Sequence, residues 1–213
     1  MLVKDANEIT GGLSSPSKMP GRAYNLPARE CKVGSALRRV KKSVCSGCYA
    51  LKNRYMFPKV QQALYKRFKS IEDDRWVPAM AFLINKQCSK VPYFRWHDSG
   101  DIQSVAHLQK IVDVCTLTPT VNHWLPTREY KLVKQFLDGG GVLPENLNVR
   151  LSAQMIDMGL PVAVPGCSAS VVLIDMQLFP EAHKCPAAHQ DNSCGDCRDC
   201  WDDSVALVAY PYH

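Results

Sequence analysis

Seven cysteines in two groups are the residues whose types and spacing could do chemistry. Cys185, Cys194, Cys197 and Cys200 form C-x8-C-x2-C-x2-C within KCPAAHQDNSCGDCRDC. A short loop can turn three such thiolates inward around one cubane, and C-x2-C-x2-C is the run used in bacterial ferredoxin-type ligation. Zinc is the competing ion. It takes four tetrahedral ligands, often as two separated C-x2-C pairs. A compact triplet plus one suits [4Fe-4S] better, and that is the expectation.

The second group is Cys31, Cys45 and Cys48, with CSGCYA at its centre. Three thiols without a fourth can hold a cubane that keeps one iron open to a substrate or to S-adenosylmethionine. The alternatives are a zinc knuckle, a fourth ligand lent by the C-terminal group, or one cluster shared between the ends. Spacing leaves the count at one cluster or two. Cys88 and Cys115 stand alone and read as buried structural thiols; Cys167, after a strand, could reach the site.

Polar clusters follow three predicted strands: Arg95, His97, Asp98, Ser99 and Asp101; then Thr127, Arg128 and Glu129; then Arg150, Ser152 and Gln154. Ligands of open α/β sheets bind beyond the carboxyl ends of strands, and arginine clamps carboxylate or phosphate bidentately. Arg95, His97, Asp98, Ser99, Arg128 and Arg150 are therefore candidates for binding an anionic or zwitterionic ligand. The plainer reading makes Asp98, Ser99, Asp101 and Thr127 helix caps and His97 a satisfied core histidine.

These residues need elements to position them. Residues 1–55 read as an irregular cysteine-bearing segment. From 56 to 175, strands alternate with helices. Pro58 opens a helix carrying Val60, Leu64 and Phe68 on one stripe. Asp73 or Asp74 caps a second helix, with Trp76, Met80, Leu83 and Ile84 facing inward. The strand 91–96 precedes a helix carrying Val105, Leu108, Val112 and Cys115. The strand 121–125 leads to Thr127, which caps a helix bearing Tyr130, Val133 and Leu137, stopped at Gly139. Further strands are expected at 147–152, 171–174 and 207–213, with a cysteine-rich loop over 176–213. The pattern predicts one α/β domain over 1–213: a partial (β/α) barrel or an open, mainly parallel sheet of about four to six strands.

Apolar residues make up 46% of the 213 and the net charge is +6, so a globular chain is expected rather than a disordered one. Much of the positive excess lies in 38–69: Arg38, Arg39, Lys41, Lys42, Lys52, Arg54, Lys59, Lys66, Arg67 and Lys69. That stretch is either a solvated face or a nucleic-acid contact. No apolar run reaches the ~18 residues needed to span a bilayer, and MLVKDANEITGG is unlike a secretion signal. A reducing cytoplasm (of a host cell) is expected, where metal explains clustered thiols better than disulfides do.

The segments SPSKMPGRAYNLPA, SVCSGCYA, FRWHDSGD, LPTRE and CGDCRDCW resemble the gene product 88 family of bacteriophage proteins. CSGCYA is also similar to the cluster loop of radical S-adenosylmethionine proteins, which share a partial α/β barrel. That resemblance implies a catalytic cluster on Cys31, Cys45 and Cys48 and an auxiliary one on Cys185, Cys194, Cys197 and Cys200. Radical enzymes usually carry C-x3-C-x2-C, whereas Cys31 here lies fourteen residues before Cys45. The expectation is a cluster-binding phage protein with a redox or regulatory role and a host or phage redox partner. An active radical enzyme and a metal-stabilised nucleic-acid module are the alternatives.

Overall fold

The computed structural model describes residues 1–212. In chain order the elements are α1 (Val3–Thr10), β1 (Arg22–Tyr24), α2 (Lys32–Leu37), α3 (Pro58–Ser70), α4 (Trp76–Gln87), β2 (Tyr93–Trp96), α5 (Val105–Thr116), β3 (Asn122–Thr127), α6 (Tyr130–Asp138), β4 (Leu147–Ile156), β5 (Ser168–Leu173), β6 (His183–Lys184) and β7 (Leu207–Pro211). No described helix is long and apolar enough to cross a membrane.

The strands form one sheet of seven in the order β1-β2-β3-β4-β5-β7-β6, and every pairing is parallel. The sheet stays open, since β1 and β6 lie at opposite edges; of the two architectures expected, the barrel is set aside. Two strands and two helices escape the periodic pattern. β1 and α2 are too short to show a period, β6 is only two residues long, and α1 is mostly polar. Residues 1–55 are therefore less irregular than expected. The closing strand ends at Pro211, and His213 of that expectation lies outside the described residues.

Alternation along the strands assigns the two faces. Phe94 and Trp96 of β2, Leu125 of β3, and Leu147, Val149 and Leu151 of β4 join the main core with Met80 and Ile84 of α4, Leu108 and Ile111 of α5, and Val133 of α6. Tyr24 ties the N-terminal elements to that core. Its ring meets Trp76 edge-on at 5.6 Å, and its hydroxyl donates to the Thr10 carbonyl at 2.7 Å and accepts from Trp76 Nε1 at 3.1 Å. On the other face β2, β3, β4 and β7 present Tyr93, Arg95, Trp124, Asn148, Arg150 and Tyr210, outside the helix-packed main core. Residues 194–205 cover it instead: Trp201 packs on Trp124 and Tyr93, and its Nε1 donates to the Phe94 carbonyl at 2.8 Å. Gly21 allows β1 to approach β2, because a β-carbon there would lie 1.8 Å from the Tyr93 carbonyl oxygen.

The helix-side core also encloses His107 and His123. Burial pushes each imidazole down to about 3, against about 6.5 when unfolded. Between those values the unfolded chain binds more protons than the folded one, so stability falls as pH falls from about 6.5 toward 3. Two such groups amount to several kcal/mol, at about 1.4 kcal/mol per unit. Urea unfolding at pH 7 and pH 4 should show this loss, with a shallower slope for His123→Gln. A pH-independent unfolding free energy would contradict it.

Candidate metal centres

The chain leaves β1 over the carboxyl edge of the sheet and reaches Cys31 at the start of α2. Cys45 sits in a 3₁₀ turn, Val44–Gly47, and Cys48 follows it. The Ser43 hydroxyl accepts from Ser46 N–H at 3.1 Å and so caps that turn, while Ser43 pairs with Met155 and fastens it to β4. From the β3 side, Glu129 Oε1 accepts the Val33 N–H at 2.8 Å and holds α2 in place. Gly34 of α2 keeps the space between the thiols clear. A β-carbon there would lie 3.6 Å from Cys45 Sγ and 3.7 Å from Cys31 Sγ.

Burial pushes the Cys31 thiol up, helped by Asp101 and by the neighbouring Cys48 and Cys45. Burial also raises Cys45, and the Arg128 guanidinium opposes that rise. Cys31, Cys45 and Cys48 thus share one electrostatic neighbourhood beside a cation. Free, the first two stay protonated; a soft metal would have to displace those protons.

The C-terminal cysteines gather separately. Cys185 follows β6, and its N–H donates to the Ala209 carbonyl of β7 at 2.9 Å; the Cys194 N–H donates to the Lys18 carbonyl at 2.9 Å. Cys185 is a charge neighbour of Cys194, Cys197 and Cys200 alike. Cys200 packs with Cys194 against the Trp124 and Trp201 cluster, its sulfur is 3.1 Å from the Tyr210 hydroxyl, and burial pushes it up to about 11 while Tyr210 and Arg150 pull it back. Two residues that sequence reasoning passed over join this group. His183 Nε2 is 3.6 Å from Cys197 Sγ, and its Nδ1 is 2.7 Å from Asp199 Oδ2. Among the described residues, His183, Cys197 and Asp199 are the one trio of potential ligands whose atoms all lie within 4.8 Å of one another. The available signal was proximity: His183 is two residues before Cys185, and Asp199 lies between Cys197 and Cys200.

The strand-end residues divide by role. Arg95 pairs with Asp98 at 2.9 Å and stacks over Trp124 at 4.3 Å. Its charge favours the thiolates of both Cys194 and Cys200, so it stands between the edge and the C-terminal group. Asp98 also accepts from the Tyr55 hydroxyl at 2.6 Å, and its carbonyl accepts from the Tyr49 hydroxyl. The Tyr49 ring is half exposed, but its hydroxyl is enclosed. That enclosure, then Asp98, raises the phenol. Ser99 is spent on the Leu26 carbonyl at 2.8 Å. Arg128 Nε donates to the Ala153 carbonyl at 3.1 Å and stays beside Cys45. Arg150 is fully buried, with its two terminal nitrogens on four main-chain carbonyls. It braces the C-terminal segment, so the three arginines do not form one clamp.

The capping assignments change. Ser104 caps α5 by accepting from His107 N–H at 3.0 Å. Asp101 accepts from the Thr127 hydroxyl at 2.6 Å and from Arg128 N–H at 3.0 Å, joining the loops after β2 and β3. Thr127 accepts from Glu129 N–H, and α6 starts with no side-chain cap. Asp73 takes the Arg75 N–H one position ahead of α4. His97 is buried but not satisfied: neither ring nitrogen has a partner among the described residues, and its φ is +56°. The chain must turn sharply there for Asp98 to reach Arg95.

Cys88 and Cys115 are buried as expected, and Cys167 packs against the main core. In the basic stretch, Arg67 is buried with Nε on the Gly12 carbonyl at 2.7 Å, whereas Arg39, Lys41, Lys42, Lys52, Arg54, Lys59, Lys66 and Lys69 are exposed. The family model described as Gene product 88 matches residues 1–203. No curated protein and no solved structure matches the chain.

Proposed function

The chain belongs to the gene product 88 family, and from that premise we propose that it is a phage iron–sulfur protein with a redox or regulatory role. Cys31, Cys45 and Cys48 would hold one [4Fe-4S] cluster at the carboxyl edge of the sheet, and the C-terminal cysteines would form a second metal centre.

The meeting of Cys31 and Cys45 at the space that Gly34 leaves open, with Cys48 as a charge neighbour of both, carries this reading. The donor set fits: thiolates are the usual ligands of such clusters, and Arg128 beside Cys45 offsets part of their charge. A lone zinc ion suits it less well. With Zn–S near 2.3 Å, tetrahedral thiolates sit about 3.8 Å apart, and these three sulfurs do not all lie within 4.8 Å of one another. A cubane spreads its ligands more widely.

When bound, the cluster would supply one-electron transfer and, with three protein ligands, one iron open to an outside molecule. The protein's own part is to desolvate the thiols, to place Arg128 against them and to hold the loop on β4 through Ser43. Anaerobically purified protein should be brown, absorb near ~400 nm and contain about four iron and four sulfide per cluster. A colourless protein carrying zinc alone would end the proposal. A spectral change on adding S-adenosylmethionine to the reduced protein, with release of 5′-deoxyadenosine, would extend it to radical chemistry.

A further inference from the structure

We propose that the surface from Tyr49 to Lys69 binds single-stranded nucleic acid, with phosphates on lysine and arginine and bases on exposed aromatic rings. The inference rests on that surface alone and on neither metal centre.

Charge is the first support. Between Glu30 and Glu72 the chain carries eleven lysines and arginines and no acidic side chain. Three of the eleven are held by the fold. Arg67 is buried, Lys32 Nζ donates to the Gln103 carbonyl at 2.6 Å, and Arg38 Nη2 donates to the Ala28 carbonyl at 3.2 Å. The other eight are exposed. None has a carboxylate partner among the described residues, whose ion pairs all lie elsewhere. An ordinary solvated face mixes the two signs, as α6 does with Lys134 and Asp138 at 2.8 Å. Cations left unpaired over this length make a standing positive field, and polyanions are what such a field gathers.

Arrangement is the second. Lys59, Lys66 and Lys69 are spaced by seven and three, so they share one side of α3, away from the buried Leu64 and Arg67. Ahead of the helix, Lys52 joins the 3₁₀ turns Tyr49–Leu51 and Asn53–Met56, and Arg54 lies in the second. Those turns are tied to α3. Gln61 Nε2 donates to the Tyr55 carbonyl at 2.6 Å, and the Phe57 carbonyl accepts the Val60 and Gln61 N–H groups at 2.9 and 3.0 Å. The cations thus follow one continuous run of turn and helix.

Aromatic rings decide the partner. Tyr49 is 56% exposed and Phe57 58%, each within the cationic run. Tyr49 is pinned: its hydroxyl donates to the Asp98 carbonyl and its ring meets Tyr55 edge-on at 5.8 Å. Little freedom is lost when a base stacks on a ring so held. Cationic surface carrying exposed rings is the composition of single-strand sites, where stacking accepts any base. Two competitors fit less well. A duplex keeps its base faces stacked on one another and gives the rings nothing to meet. An acidic protein would meet a surface on which six of the eight exposed cations are lysine, the residue that protein interfaces deplete.

Fluorescence anisotropy on the anaerobically purified full-length chain tests this. The probe is a labelled oligothymidine of about 16 nucleotides, the longest site size of one such domain. With Lys52, Arg54, Lys59, Lys66 and Lys69 on phosphates, affinity should fall about 100-fold between ~50 and ~200 mM salt, at a slope of about −0.7 per contact. Phe57→Ala should weaken binding about 10-fold with the salt slope unchanged, the loss of one stacked base, and Phe57→Trp should keep it. Replacing Lys59 and Lys66 together by glutamine should weaken binding and lower the slope by about 1.4. Lys86→Gln, in the last turn of α4, should change nothing. All four replaced side chains are exposed, so the fold should survive. Oligouridine of equal length tells RNA from DNA, and binding of either supports the inference. No binding at ~50 mM salt, where such contacts are strong, would overturn it. So would tighter binding of duplex, equal binding of polyglutamate or phosphatidylserine vesicles, or undiminished affinity in Phe57→Ala. A brown protein that binds no oligonucleotide sinks this inference alone; a colourless one that binds sinks the cluster alone.

Discussion

Exchanging Cys45 for serine should abolish iron binding at the N-terminal site, taking about four iron and four sulfide per chain with it, while the fold survives. Serine nearly matches cysteine in size, and the turn that carries Cys45 is held by Ser43 and by its pairing with Met155, not by the thiol. A hydroxyl is a poor substitute for thiolate toward iron, so the site keeps its shape and loses its affinity. Cys115→Ser makes the comparison, because Cys115 is equally a cysteine but buried in the main core. It should cost stability and leave the iron content unchanged. Gly34→Val asks the same question without touching a ligand: its side chain would fill the space between Cys31 and Cys45, where a β-carbon already comes within 3.7 Å of both sulfurs. Full iron content in Cys45→Ser would exclude it as a ligand, and full content in Gly34→Val would show that the cluster lies elsewhere.

What could be read beforehand depended on how many residues repeat a signal. α4 and α5 each run for twelve residues, and their apolar faces repeat often enough to be counted. The strands β2 to β5 are apolar on the core side and bounded by turns, so the alternating architecture is legible. β1 is three residues of Arg, Ala and Tyr and has no period to detect; its place as an edge strand is fixed by Gly21 fitting under Tyr93. The two thiol groups are visible because cysteine is rare and its spacing is informative. His183 is not, because a single histidine gains meaning only when the fold brings Asp199 and Cys197 to its two nitrogens. The strand-end polar residues were visible as a set but not by role. Asp101 and Asp98 have identical chemistry in the sequence; only the sheet register decides that one joins two loops and the other pairs with Arg95 and Tyr55.

Arg150→Met should be among the most destabilising single changes in this chain. The guanidinium is fully buried, and it donates to the carbonyls of Ala169, Val205, Asp199 and Asp202 at 2.8 to 3.1 Å. Methionine can replace the stem but none of the donors. Each buried acceptor left without a partner costs about 1–3 kcal/mol. Some will recover water as the segment lifts, so a net loss of about 3–5 kcal/mol is expected. The lifting is local, because residues 199–205 are held to the sheet mainly by this side chain, Asn148 and Trp201. Limited proteolysis should therefore cut between 185 and 204 before the core unfolds in urea. Arg150→Lys should resemble Arg150→Met more than the parent, since one ammonium cannot span four carbonyls set in a fork. An unaltered urea midpoint together with protease resistance in Arg150→Met would show that the segment is held by other means, and Arg150 would then regain its standing as a residue kept for a ligand.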